Sequence, residues 1–138
     1  HPGKVEAPLV GGNLTVLASM VGTPHEANLA RSIVLLEDVG EPAYKVDRLM
    51  TQLRLSGAMD DVLGLVLGKF TDVPDQEVSK IRAFFSETAA EMNIPCLWDL
   101  PVGHGVTNAA VPMGRGDGWM ATLTASGGLS RLEFRRDG

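Results

Sequence analysis

The 138-residue sequence contains few of the features that mark disulfides, zinc sites, membrane spans or nucleic-acid surfaces. Its single cysteine, Cys96, cannot form an internal disulfide, and the paired thiols of a structural zinc site are missing. No apolar run approaches the roughly 20 residues that a transmembrane helix requires. Lysine and arginine are scattered and the net charge is −5, which argues against nucleic-acid binding. A single cysteine suits a reducing compartment, and we expect a cytoplasmic protein.

A recognisable catalytic nucleophile is also missing. No serine lies in a Gly-x-Ser-x-Gly elbow or a comparable sharp turn. Cys96 follows Pro95 in an apolar segment without a nearby base, so we expect it in the core. If the chain takes part in nucleophilic catalysis, we expect the nucleophile in a segment outside it. The first residue is His1, and we interpret residues 1–7 as a linker stub left by processing or truncation.

The remaining residues, 8–138, have the composition of one globular domain with a hydrophobic core. Three segments have helical periodicity: 14–21, capped by Asn13, then 42–57 and 76–92. Three short apolar runs are typical of buried strands: 33–36, 62–70 and 96–98. Residues 119–124 and 129–134 alternate around Ser126-Gly127-Gly128, as in a β-hairpin. This order predicts an α/β fold with a mixed sheet and flanking helices.

The first predicted strand ends in two acids, Glu37 and Asp38. In open α/β sheets ligands bind at the carboxyl ends of strands, so this pair is a candidate site. The structural alternative is that the acids terminate the strand and cap a turn. Successive strand residues point to opposite faces, so only one of the two can face a given site. The strand alternation does not tell which one.

His104 lies between Gly103 and Gly105, after the last of the three apolar runs. The glycines leave the imidazole accessible, and its ordinary pKa near 6.5 suits proton transfer. A solvent-facing turn histidine is the structural alternative, and we assign no role to His25 or His1. Glu37, His104 and Asp99 have side chains that can bind a metal, but catalytic zinc usually takes more than one histidine, so we do not favour a metal site.

The chain also resembles a known family over residues 8–134. The resemblance is carried by several separated motifs in the same order: Gly11-Gly12-Asn13-Leu14-Thr15, Leu35 to Pro42, Asp47-Arg48, Gln52-Leu53, Leu67 to Asp72, and Pro101 to Gly105 with Asn108. These motifs are similar to the C-terminal half of the LD-carboxypeptidases, the murein tetrapeptide carboxypeptidases to which microcin C immunity peptidases are related.

The resemblance implies a two-domain serine peptidase with a Ser-His-Glu triad. It implies that the serine and the oxyanion-hole amides lie in an N-terminal domain, whereas this C-terminal domain, a swivelling β/β/α-like fold, supplies Glu37 and His104. The implied reaction removes the terminal D-alanine from a murein tetrapeptide in peptidoglycan recycling, with no metal or organic cofactor. The implied partners are the murein peptide and the N-terminal domain of the same polypeptide, and a homodimer is left open.

Two alternatives remain open on the sequence. One is a microcin C-type immunity peptidase, which keeps the triad and changes the substrate. The other is a non-catalytic α/β binding module, in which Glu37 and His104 need not meet. Gly11-Gly12-Asn13 can shape an interdomain edge or cap a helix, and Asp47 and Arg48 are expected to form an ion pair, structural or at an interface. If the isolated chain lacks its nucleophile, we expect it to be inactive.

Overall fold

The computed structural model describes residues 1–127 and 129–137. These residues include seven strands: β1 Gly3–Ala7, β2 Leu9–Asn13, β3 Ile33–Val39, β4 Gly64–Thr71, β5 Cys96–Leu97, β6 Trp119–Ala125 and β7 Arg131–Arg136. Three helices lie between them: α1 Leu14–Ser19, α2 Ala43–Leu55 and α3 Asp75–Glu91. No helix among these residues is long and apolar enough to cross a membrane.

Strands β2 to β5 form a parallel sheet whose spatial order follows the chain, β2-β3-β4-β5. Each helix connects one strand to its neighbour, and crossovers of this kind are right-handed. Because every connection advances in the same direction, all three helices cover one face of the sheet. The carboxyl ends of the four strands therefore share one edge, which carries the ends of β3 and β5 and the loops that follow them.

Strands β1, β6 and β7 form a separate antiparallel sheet in the order β1-β6-β7. It packs on the other face of the parallel sheet through a small apolar cluster that includes Ile33, Leu35, Val66 and Leu123. A larger cluster joins the parallel sheet to the helices. The result is a three-layer β/β/α arrangement, which confirms the predicted α/β class and divides the parallel and antiparallel strands between two sheets.

The predicted helices and strands are present with bounds shifted by a few residues, and Asn13 caps α1 by accepting a hydrogen bond from the Val16 amide. Two strands were not predicted. Gly3–Ala7, which we interpreted as linker, pairs with β6, so that interpretation is wrong for these residues. Leu9–Asn13 pairs with β3. Gly128, part of the predicted hairpin turn, lies outside the described residues.

Candidate functional site

The end of β3 separates its two acidic side chains onto opposite faces of the parallel sheet. Ile33 and Leu35 belong to the cluster beneath the antiparallel sheet, whereas Val34 and Leu36 belong to the cluster beneath the helices. Glu37 continues the first series and Asp38 continues the second, as strand alternation requires. Both are nearly inaccessible to solvent, with exposed fractions of 6% and 3%. The two carboxylates therefore have different neighbours and different roles.

Asp38 anchors the start of α1. Its Oδ2 accepts from the Thr15 amide at 2.9 Å and from the Thr15 hydroxyl at 2.7 Å. Its Oδ1 accepts from Asn13 Nδ2 at 3.0 Å and from the Val39 amide at 2.9 Å. Four donors and an acceptor-only carboxylate match each other, and a carboxylate at a helix N-terminus is also favoured by the helix dipole. Asp38 therefore has the structural role that the sequence left open, because it lies near the end of β3 and accepts hydrogen bonds from the segment that begins α1.

Glu37 contacts His104 directly. The distance between Glu37 Oε2 and His104 Nδ1 is 2.7 Å, in the range of a charge-assisted hydrogen bond. A carboxylate only accepts, so Nδ1 carries the shared proton and donates it. In the neutral ring this leaves Nε2 unprotonated. The Glu37 side chain is 8% exposed and that of His104 is 52% exposed, so a buried acid orients an imidazole that solvent or another molecule can reach.

Two glycines leave the room that the Glu37 side chain occupies. A Cβ atom built on Gly103 would lie 2.7 Å from Glu37 Oε2. A Cβ atom built on Gly68 of β4 would lie 3.0 Å from Glu37 Cβ and 2.6 Å from the Val102 carbonyl oxygen. Gly103 also has φ of +113°, a conformation that L-residues with side chains rarely adopt. The carboxylate is therefore held between two backbone segments that side chains would push apart.

The His104 loop is fastened to the parallel sheet on the side that precedes the histidine. The Leu100 amide donates to the Leu67 carbonyl at 3.1 Å, and the Lys69 amide donates to the Val102 carbonyl at 3.0 Å. On the other side, the Gly103 amide donates to Asn108 Oδ1 at 3.2 Å. These bonds hold the loop against β4 and fix the position of His104 relative to Glu37.

Asp99 does not join Glu37 and His104 as a third ligand. Its carboxylate pairs with Lys69 Nζ at 3.1 Å and with the Arg82 guanidinium at 2.9 Å, and that guanidinium lies over the Trp98 ring. Within residues 1–127 and 129–137, no group of three or more His, Cys, Asp or Glu side chains is placed to hold a metal ion. Glu37 and His104 form a pair, and Asp99 belongs to a separate ion-pair network beside it.

The other residues considered from the sequence lie away from this pair. Cys96 is buried, and burial raises the pKa of its thiol to about 11, so a core role fits and a nucleophilic role does not. Asp47 accepts from the Thr51 hydroxyl at 3.2 Å, and the ion pairs among the described residues do not include one with Arg48. Neighbouring residues on a helix do not face each other, so the predicted Asp47–Arg48 ion pair is wrong for the part of the chain that the structure describes. His25 is exposed in another loop.

Gly68 and Asn108 lie in the motifs that carry the family resemblance, but sequence reasoning assigned neither of them a part in the site. A glycine inside an otherwise apolar strand is a signal of close backbone approach, and Gly68 has that context between Leu67 and Lys69. Asn108 gives no comparable signal, because its hydrogen bond spans five residues of irregular loop. A cleft of about 430 Å³ beside the C-terminal ends of α2 and α3 shares no residue with the Glu–His pair.

Comparison with known proteins places these features in a family. A family model described as the LD-carboxypeptidase C-terminal domain matches residues 6–116. The murein tetrapeptide carboxypeptidase of Pseudomonas aeruginosa is 44% identical over 117 residues, which cover 83% of this chain and 38% of that protein. The probable murein peptide carboxypeptidase of Bacillus subtilis is 32% identical, over 82% of this chain and 36% of its own length.

Two solved structures of similar proteins also superpose on this chain. The crystal structure of a muramoyltetrapeptide carboxypeptidase from Oxalobacter formigenes superposes with a TM-score of 0.82 at 33% identity, over 99% of this chain and 47% of that one. An MccF-like protein from Bacillus anthracis superposes with a TM-score of 0.81 at 23% identity, over 96% of this chain and 40% of that one, and so shares the fold. The chain spans less than half the length of these relatives. It belongs to the LD-carboxypeptidase family, a family of hydrolases, and corresponds to the C-terminal domain.

Proposed function

We propose that this chain carries the acid–base half of a serine carboxypeptidase that removes the terminal D-alanine from murein tetrapeptides in cytoplasmic peptidoglycan recycling. Glu37 and His104 supply two members of a Ser-His-Glu triad. The serine and the oxyanion-hole donors come from an N-terminal domain of the same polypeptide. The observation that carries the proposal is the 2.7 Å hydrogen bond between Glu37 Oε2 and His104 Nδ1 at the carboxyl edge of the sheet.

The chemistry follows from the tautomer that this bond selects. With Nδ1–H donated to Glu37, the unprotonated Nε2 takes the serine proton as the hydroxyl oxygen attacks the scissile carbonyl carbon. The imidazolium that forms is stabilised by the buried carboxylate, which remains ionised. His104 then gives the proton to the nitrogen of D-alanine as the peptide bond breaks. Water, activated by the same Nε2, hydrolyses the acyl-enzyme and restores the serine.

The exposure of His104 fits a site that a second domain completes. An imidazole in a finished triad is shielded from bulk water, which strengthens its electrostatic interactions. Here the His104 side chain is half exposed while its carboxylate partner is buried. The matched relatives are also more than twice as long as the matched segment. Both observations support a nucleophile that approaches the Nε2 side from outside this chain.

The murein substrate is favoured over the alternatives by the degree of similarity. The relative with 44% identity is named for murein tetrapeptides, whereas the MccF-like neighbour is 23% identical and supports the fold only. A non-catalytic binding module leaves the Glu37–His104 contact without a purpose. A buried carboxylate aimed at an exposed imidazole is typical of a general base and its orienting partner.

The experiment that tests the proposal uses the protein translated together with the coding region upstream of His1. D-alanine release from a murein tetrapeptide is measured for the wild type and for His104→Ala and Glu37→Gln. We expect release by the wild type, a loss of at least about 1000-fold for His104→Ala, and a loss of about 100-fold or more for Glu37→Gln.

The matched control is His25→Ala, which removes an exposed imidazole from the loop that leads into the other end of β3 and should leave release unchanged. Wild-type release that survives His104→Ala would overturn the assignment of the base. A folded wild-type protein that releases no D-alanine but cleaves a microcin C-type substrate would replace the murein substrate with the immunity-peptidase alternative. Inactivity on both substrates would favour the binding module.

A further inference from the structure

A side-chain hydrogen bond crosses the loop that presents His104. The loop runs from Pro101 to Ala109, and its ends meet where the Ala109 amide donates to the Pro101 carbonyl at 2.7 Å. Among the described residues, no backbone–backbone hydrogen bond is formed by residues 103–108. The Asn108 carboxamide crosses the loop instead and accepts from the Gly103 amide at 3.2 Å. Asn108 therefore links the limb after His104 to the limb before it.

Gly103 is the point at which this link reaches the Glu–His pair. Its α-carbon lies so close to Glu37 that an added Cβ atom would be 2.7 Å from Oε2. A glycine peptide rotates easily, because no side chain restricts it. Without the Asn108 acceptor, a turn of this peptide would bring the Gly103 amide toward the Glu37 carboxylate. An N–H donated to Oε2 would then compete with His104 for that oxygen.

We propose that Asn108 is a positioning residue for His104. By engaging the Gly103 amide, its side-chain oxygen fixes the glycine peptide and reserves Glu37 Oε2 for the imidazole. Asn108 itself is exposed and has no place in the hydrophobic core, so its removal should leave the folded domain intact. The expected effect on catalysis rests on the proposed function, whereas the effect on the His104 ring does not.

The test compares three variants of the chain with the wild type. Asn108→Ala removes the acceptor, and Asn108→Asp keeps an oxygen at the same place. Asn28→Ala is the matched control, because Asn28 Oδ1 accepts from the Ala30 amide at the same distance of 3.2 Å in a loop remote from the site. The first readout is the protonation of the two ring nitrogens of His104, measured by ¹⁵N–¹H correlation NMR at a pH where the ring is neutral.

We expect the wild type, Asn28→Ala and Asn108→Asp to show His104 protonated at Nδ1 alone. We expect Asn108→Ala to show a mixture of the Nδ1–H and Nε2–H tautomers. A pure Nδ1–H ring in Asn108→Ala overturns the proposal whether or not the protein is an enzyme. The same tautomer mixture in Asn28→Ala also overturns it, since the effect would then be general loosening of loops.

The second readout is the rate of D-alanine release by the protein that includes the upstream region. For Asn108→Ala we expect kcat to fall about 10-fold with KM within about twofold, and Asn108→Asp to restore most of the rate, since a misplaced catalytic group lowers turnover more than binding. An unchanged kcat alongside a mixed tautomer overturns the positioning role. A wild-type protein without D-alanine release refutes the proposed function, and the NMR readout still decides the role of Asn108.

Discussion

Replacing Gly103 with alanine would place a methyl group against the carboxylate that orients His104. The new Cβ atom would be 2.7 Å from Glu37 Oε2, 3.0 Å from Cγ and 3.1 Å from Cβ, whereas ordinary contacts begin at 3.4 Å. Glu37 has little room to retreat toward β4, because it already packs closely on Gly68, where even an added Cβ atom would lie only 3.0 Å from Glu37 Cβ. Either the His104 loop or the glutamate must therefore move.

Two costs follow from this substitution, and they can be separated. Alanine at φ of +113° costs about 1–3 kcal/mol of backbone strain. The overlap with Glu37 costs about another 1–3 kcal/mol, as overpacking does elsewhere. Gly114→Ala is the matched control, because Gly114 has φ of +115° and a Cβ atom there would have no neighbour within 4 Å. It should incur the first cost alone.

The assays are chemical denaturation of the chain and D-alanine release by the protein with its upstream region. We expect Gly103→Ala to be less stable than Gly114→Ala by about 1–3 kcal/mol. We expect kcat to fall about 100-fold in Gly103→Ala, which corresponds to a displacement near 1 Å, and by less than about threefold in Gly114→Ala. Equal stability and equal activity of the two variants would refute the claim that Gly103 holds Glu37 in place.

Three further predictions concern stability and reactivity. Asp38→Asn should lower the free energy of unfolding by about 2–4 kcal/mol in denaturant titrations, because the new amide group would face donors at the start of α1. The control Asp47→Asn, at an exposed position, should change it by less than about 0.5 kcal/mol. Cys96 should resist iodoacetamide at pH 8 in the folded chain, because its pKa is raised to about 11. The free energy of unfolding should fall between about pH 9 and 11, since only the unfolded state loses the thiol proton there. The variant Cys96→Ala should not show that fall. Glu77 pairs with Lys80 and accepts from the Ala43 amide, and both contacts lower its pKa. Its contribution to stability should therefore be present above the ordinary glutamate pKa and disappear as the pH falls through the lowered value. Melting curves of Glu77→Gln should lack this dependence, and those of the exposed Glu87→Gln should keep it.

The results that would contradict these predictions are equally specific. Asp38→Asn as stable as Asp47→Asn would mean that the four donors find other acceptors at no cost. Rapid alkylation of the folded chain at pH 8 would mean that Cys96 is accessible as a thiolate. Identical pH dependence of melting for Glu77→Gln and the wild type would mean that the contact between α3 and the start of α2 is energetically silent.

Periodicity predicts the elements that bury a complete face. The β3 and β4 runs are apolar on both sides because the helices cover one face and the antiparallel sheet covers part of the other, and such runs are easily recognised. The strands β1 and β2 were missed for physical reasons. Gly3–Ala7 is an edge strand with few apolar residues, and Leu9–Asn13 contains two glycines, which are normally unfavourable in strands.

The presence of glycines in β2 is explained by the close approach of the neighbouring strand β3. A Cβ atom on Gly11 would lie 2.1 Å from the Leu35 carbonyl oxygen, so only glycine permits this approach of β2 to β3. That requirement depends on a strand more than 20 residues away, and no local pattern contains it. The pairing also places Asn13 beside Asp38, where it acts at the start of α1.

The candidate site was only partly accessible to sequence reasoning. The ends of β3 and β5 share an edge in any parallel sheet of this order, so a meeting of Glu37 and His104 could be anticipated, and the structure contains that contact. Their catalytic role stays a prediction. The choice between Glu37 and Asp38 depended on which sheet face the helices cover, and the motif resemblance selected Glu37. The roles of Gly68, Gly103 and Asn108 arise from contacts across the loop and needed coordinates.

The measurement that tests the central claim most directly is a double-mutant cycle on D-alanine release by the protein with its upstream region. The cycle compares kcat/KM for the wild type, Glu37→Gln, His104→Ala and the double variant. If the two side chains act as one unit, removing Glu37 from a protein that already lacks His104 should change the rate by less than about threefold, far from the product of the two single losses. Losses that multiply would mean that Glu37 and His104 act independently, and would contradict the account of a buried carboxylate that works through the imidazole.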